Sequence, residues 1–191
     1  MPLYNSHQLL SDLHADVSRM TEQARMLAAL PPAELNRQPA PGKWCVAQVA
    51  EHLNSYNRYY LPEIKKALQQ PGQSAPVFRP GWFGNYFTNM MKPKGGQVGN
   101  KMTAPKGHRP EPELYAPAVL AAFISGQEQL LKLLEQARQA DIGKLRVPIS
   151  ISRMIKLKLG DTFRFLVAHQ ERHFVQISNV LATLGVEWRQ Q

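Results

Sequence analysis

Two histidines one helical turn apart, His169 and His173, stand in the stretch DTFRFLVAHQERHFVQISNVLATLG from Asp161 to Gly185. Imidazole can ligate a divalent metal when neutral and can move a proton near neutral pH. Side chains four apart on a helix lie one above the other on one face, so this pair could offer two nitrogens to one ion. Plotted at about 100° per residue, Phe163, Leu166, Phe174, Ile177, Val180, Leu181 and Leu184 form an apolar stripe. His173 falls inside that stripe and His169 on its edge, so both face a protein interior. His-x3-His is equally the pattern of two helix-flank histidines with satisfied hydrogen bonds. The intervening Gln170, Glu171 and Arg172 exclude an HExxH site, and Glu171 points away from the stripe, which leaves it poorly placed as a general base.

A catalytic three-histidine site needs one more imidazole and an open position for water or a thiolate. His52 has the right phase: at about 100° per residue it sits about 80° from the centre of its own helix's stripe, the same offset and side as His169. Two helices of one bundle could turn these rings into a shared crevice. Cys45, two helical turns before His52, is a weaker candidate as a soft ligand. Gln48 and Gln176 are placed to fix imidazole tautomers from outside the ligand set. Tyr56, one turn after His52, is either a substrate hydrogen-bond donor or plain core aromatic.

The elements that must position these residues are parsed by proline, which is excluded from helix interiors. Fifteen prolines leave four long free windows, 3–30, 42–61, 118–147 and 149–191, which is already a four-helix count. The first helix carries Leu9, Leu13, Val17, Met20, Ala24 and Leu27 at three-four spacing, capped by Asn5 or Ser6 and stopped by Pro31 and Pro32. His7 and His14 lie off its stripe and read as surface residues. The second runs from Val46 to Leu61 with Val49, Leu53, Tyr56 and Tyr60 inward, and Pro62 kinks or restarts it toward Gln69. The third runs from Pro117 to Ala140 with Val119, Phe123, Leu130, Leu133, Leu134 and Ala137 inward. The fourth follows Gly160 and takes Asp161 as its cap. Residues 71–116 are too long for an ordinary connection. Their WFGNYFTNMM segment (Trp82 to Met91) reads as a short amphipathic helix over the bundle mouth, a lid or a segment packed down by its own aromatics. Residues 141–160 are a second excursion, with one short helix around Ser152–Leu157. The expected fold is thus all-α: one domain over 1–191, a four-helix bundle with a long insertion between helices two and three and a shorter one between three and four. Almost no β structure is expected.

Bulk composition narrows the function classes. With 43% apolar residues, the chain can bury a real core. Its single cysteine makes no internal disulfide, and neither a signal-peptide pattern nor a membrane-length apolar run is present, so a cytoplasmic location is expected. The net charge of +9 gathers at Lys92, Lys94, Lys101, Lys106 and Arg109, and again at Lys144, Arg146, Arg153, Lys156 and Lys158. No helix-turn-helix, RNA-binding aromatic motif or zinc-finger spacing converts that charge into nucleic-acid recognition, so it reads as solvated surface.

Two tracts carry a family resemblance. PGKWCVAQVAEHLNSY resembles the Trp-led entry into helix two, ending in Glu-His-Leu, of the DinB/YfiT-like superfamily, in its DinB_2 branch. LGDTFRFLVAHQERHFVQI is similar to that family's closing His-x3-His helix, and the insertion with its WFGNYF and KMTAP tracts fits the same branch. Cys45 departs from the family's frequent Ser after the Trp, which would weaken the helix cap. The resemblance implies a four-helix bundle in which His52, His169 and His173 match the positions that bind a divalent metal, Zn²⁺ or Ni²⁺. It implies an enzyme that activates a low-molecular-weight thiol or water against a small electrophile, as a thiol-dependent transferase or a hydrolase. The alternative it leaves is a non-enzymatic metal- or ligand-binding stress-response protein. Homodimers are implied as well, with the Met- and aromatic-rich insertion as one contact surface.

Overall fold

The computed structural model describes residues 2–99 and 102–188. Its elements in order are β1 (Tyr4–Asn5), α1 (Ser6–Ala28), α2 (Pro32–Asn36), α3 (Val46–Leu68), β2 (Val77–Phe78), α4 (Trp82–Met91), α5 (Ala116–Gln136), β3 (Arg146–Ile149), β4 (Ser152–Lys158) and α6 (Leu159–Thr183). Single 3₁₀ turns cover Lys106–His108 and Ala137–Gln139.

The bundle is α1, α3, α5 and α6. Both α5 and α6 pack against α1 and α3, which puts α1 diagonal to α3 and α5 diagonal to α6. The consecutive pairs α1–α3 and α5–α6 are therefore diagonal, whereas α3 and α5 are neighbours although the longest connection of the chain joins them. The inward stripes drawn from periodicity are buried on all four helices, with Leu184 half-buried at the end of α6. Of the two candidate caps of α1, Asn5 accepts from the Gln8 N–H at 3.0 Å. Helix α3 runs straight through Pro62. That residue lies on the exposed side, and the carbonyl of Arg58 that loses its partner there is on an exposed residue too.

Three expectations are corrected. The first is the near absence of β structure: β1 pairs with β2, and β3 pairs with β4, both antiparallel. The second is the helix at Ser152–Leu157, which is instead strand β4 of a hairpin with an irregularity between Pro148 and Ile149. The alternation Ile155-Lys156-Leu157-Lys158 has the two-residue period of a strand, and Leu157 is its buried member. Tyr59 donates to the Ile149 carbonyl at 3.0 Å and the Tyr60 hydroxyl accepts from the Ser150 N–H at 3.1 Å, pinning the hairpin tip to α3.

The third is the start of the last helix. It begins at Leu159, three residues earlier than Asp161 as cap would allow, so Gly160 and Asp161 are inside its first turn. Gly160 is needed there because a Cβ would sit 2.7 Å from the fully buried Phe78 ring. Asp161 is wholly buried and acts across elements rather than as a cap. Its carboxylate accepts from the Gly81 N–H at 2.7 Å and pairs with Arg164 at 3.2 Å. Arg164 in turn donates to Tyr4 and Asn85. This buried cluster moors α4, whose existence the aromatic spacing predicted, against α6. Consequently the first half of α6 is buried nearly all round, where the stripe alone promised one face.

Candidate metal centre

Helix α3 delivers His52 and helix α6 delivers His169 and His173, all three buried at 3%, 3% and 8% exposure. Their Nε2 atoms converge: His52 to His169 is 3.2 Å and His169 to His173 is 3.1 Å. Metal–nitrogen bonds of about 2.0–2.1 Å in tetrahedral geometry place ligand nitrogens roughly 3.3 Å apart, which these two spacings match, and the ligand atoms of all three histidines lie within 4.8 Å of one another.

Hydrogen bonding on the far side of the rings decides what faces the centre. His52 Nδ1–H donates to the His108 carbonyl at 2.6 Å, and His173 Nδ1–H donates to Gln176 Oε1 at 2.8 Å. Each ring then presents an unprotonated Nε2 toward His169. If His169 keeps a proton on Nε2, it can satisfy only one of these two lone pairs. If it does not, three lone pairs point at one spot. A cation between them resolves the repulsion, and the donor set fits a divalent metal. The Nδ1 of His169 is buried without a partner among the described residues.

Burial also sets the charge state. Loss of hydration lowers the His52 pKa to about 4, a drop that the His108 carbonyl partly opposes. Burial, then the neighbouring His52, brings His173 down to about 3, and burial foremost pushes His169 well below the ordinary range. All three are neutral at pH 7, the form that ligates metal.

The sequence matches the DinB superfamily over residues 16–177. The chain belongs to the DinB superfamily. A similar solved structure is YfiT from Bacillus subtilis, described as a probable metal-dependent hydrolase with an unusual four-helix bundle topology. It is 16% identical, with a TM-score of 0.49 over 95% of this chain and 87% of that one. At that level the likeness transfers no activity. No curated protein matches the sequence.

The remaining candidates in this DinB-superfamily chain separate. Gln176 lies on His173 as described. Tyr56 packs on the cluster, its ring centroid 5.1 Å from His52 and 4.3 Å from His169. Gln48 does not reach an imidazole: its Oε1 accepts from the Cys45 N–H at 3.1 Å and its Nε2 faces the carbonyls of Glu111 and Pro112. It completes the cap that Cys45 begins and holds the end of the insertion. Cys45 is buried but outside the histidine group. His7 is exposed and His14 half-buried on α1. Glu171 sits near Arg19 at 3.7 Å. Of the basic cluster, Lys101 lies outside the described residues.

His108 is the contributor that sequence reasoning missed. Its 3₁₀ turn presents the carbonyl that orients His52, its ring stacks on Tyr56 with centroids 4.0 Å apart, and its Nδ1 meets Ser55 Oγ at 2.8 Å. A carbonyl contact leaves no signature in residue type, and the ring stood in a stretch with no periodicity to place it. Trp44 closes another side of His52 at 5.2 Å. Among the described residues, the only group of potential metal ligands is His52, His169 and His173, with no carboxylate in it.

Proposed function

We propose that this chain is a divalent-metal-dependent enzyme in which His52, His169 and His173 hold a Zn²⁺ or Ni²⁺ ion. The observation that carries the proposal is the convergence of three Nε2 atoms from two helices, two of them unprotonated by virtue of their outer hydrogen bonds. A bound metal supplies a Lewis-acid position at which water or a low-molecular-weight thiol is deprotonated near neutral pH and turned on a small electrophile. The chain's residues prepare that position. The His108 carbonyl and Gln176 hold the His52 and His173 tautomers and ring planes, which keeps the ligand nitrogens aimed inward. Trp44, Tyr56 and Phe165 pack around the rings and limit water.

The thiol route is favoured over hydrolysis because, among the described residues, no carboxylate joins the histidine group to serve as a base for water. In this reading the partner is a small-molecule substrate, and the location is cytoplasmic; among the described residues no helix is long and apolar enough to cross a membrane. A homodimer would use the exposed Trp82, Phe83 and Tyr86 of α4.

Elemental analysis of protein prepared without a polyhistidine tag tests the site. One equivalent of zinc or nickel is expected for the wild type and none for His173→Ala, with helical circular dichroism preserved in both. Full metal occupancy in His173→Ala refutes the ligand assignment. A screen of low-molecular-weight thiols against small electrophiles then separates an enzyme from a metal-binding stress-response protein.

A further inference from the structure

Two walls of the metal centre are also walls of a cavity. Phe165 stacks on His169 with centroids 5.8 Å apart, Tyr56 lies at 4.3 Å from the same ring, and both line a space of about 150 Å³. Helix α4 contributes Phe87, Met90 and Met91 to the same space. Tyr60 of α3, the hairpin and the segment around Met102 supply the rest.

The lining has three chemical properties. Among the described residues it contains no Lys, Arg, Asp, Glu or His. Its aromatic and thioether groups are polarisable and suit a flat ring. An apolar space of about 150 Å³ holds a single ring of benzene size. Its polar groups are few. Its hydroxyls belong to Tyr56, Tyr60, Thr103 and Ser150; the Tyr56 hydroxyl has no hydrogen-bond partner among the described residues, and its ring lies against His52 and His169. A tyrosine hydroxyl carries its proton at neutral pH, so Tyr56 is available as a donor.

We propose that this cavity is the chamber for the electrophile, and that it takes a small, uncharged, flat apolar molecule whose single acceptor atom receives a hydrogen bond from Tyr56. The inference rests on the three-histidine reading for the chemistry that follows, but not for binding itself. It excludes a carboxylate or phosphate substrate, because an anion here would be desolvated without a counter-charge among the described lining residues.

The test uses the full chain with ¹³C-methyl methionine, in metal-loaded and metal-stripped forms. The chain has seven methionines, of which Met90, Met91 and Met102 line the cavity and Met20 and Met26 lie on α1. Acetophenone should shift the methyls of Met90, Met91 and Met102 through its ring current and leave Met20 and Met26 in place. Benzoate, its charged counterpart, should bind at least about tenfold more weakly. Tyr56→Phe should weaken acetophenone by about two- to tenfold while leaving α-methylstyrene, the same shape without an acceptor, unchanged.

Unmoved cavity methyls in a protein that carries its full metal overturn the chamber, as does benzoate binding equal to acetophenone or a Tyr56→Phe effect equal for both neutral ligands. Shifts at the three cavity methyls in a protein that takes up no metal support the chamber and refute the metal reading instead.

Discussion

A methyl group added at Gly84 tests whether the buried mooring of α4 is real. The substitution Gly84→Ala lies inside a ten-residue helix, where alanine is intrinsically favoured over glycine by about 1 kcal/mol. Propensity alone therefore expects stabilisation. The structure expects the opposite, because the new Cβ would lie 2.5 Å from Asp161 Oδ2 and overlap the carboxyl carbon. That is roughly 1 Å inside van der Waals contact. Asp161 cannot swing aside without giving up the Gly81 N–H and Arg164 in a site with no solvent access. Overpacking of this kind costs about 1–3 kcal/mol, so the net effect is destabilisation of about 0–2 kcal/mol after the helix gain is subtracted. In a chain of this size that is a fall in Tm of up to about 8 °C. Thermal unfolding by circular dichroism reads it, and faster amide exchange confined to α4 and its contacts locates it. Asp161→Ala opens the space, so in that background Gly84→Ala should become neutral or stabilising. A rise in Tm from Gly84→Ala in the wild-type background, or an identical effect in both backgrounds, refutes the mooring.

Two further outcomes concern the histidine centre. Gln176→Leu removes the acceptor of His173 Nδ1–H and should weaken metal affinity about 10- to 100-fold without altering the stability of the metal-free chain by more than about 1 kcal/mol; competition with a chelating dye measures it, and unchanged affinity refutes the tautomer argument. The metal-free protein should lose stability in acid. His52 and His173 titrate at about 4 and about 3 in the fold, with His169 also well below 6.5, while the unfolded chain binds these protons near 6.5. Above that pH neither state is protonated and the contribution is constant. As pH falls from 6.5 toward 4 the unfolded state alone takes up protons, so stability declines by up to about 1.4 kcal/mol per pH unit per histidine, then levels off below the folded values. Urea unfolding of chelated protein between pH 7 and 4 checks the sign, and stability independent of pH there refutes the burial of the three rings.

Much of the bundle was legible because its causes are local. Proline positions and three-four spacing depend only on neighbours along the chain, and they delivered four helices with their inward faces. The phase shared by His52 and His169 was legible for the same reason, since an angle on a helix follows from residue count. The hairpin of Arg146–Lys158 was misread because its alternation is short and only Leu157 among its later residues is well buried, so the pattern competes poorly with helical spacing. Asp161 was misread because a carboxylate beside a helix start is usually a cap, and nothing nearby in sequence reveals Gly81 and Gly84 arriving from eighty residues away. Gln48 had the phase of a histidine partner, but the carbonyls of Glu111 and Pro112 and the Cys45 N–H claim its amide. His108 was invisible for a related reason: what it gives His52 is a backbone oxygen, brought there by the path of an aperiodic insertion.

What the sequence determined by itself is the set of rods and the side on which each carries its imidazoles, because periodicity is a property of the covalent chain. Only the tertiary structure decided that α3 and α6 are adjacent rather than diagonal, and so that the three Nε2 atoms share one point. It alone decided that the His108 carbonyl empties the His52 nitrogen of its proton and which apolar cavity adjoins the centre, since both depend on contacts between residues far apart in the chain, whose closure no local pattern encodes.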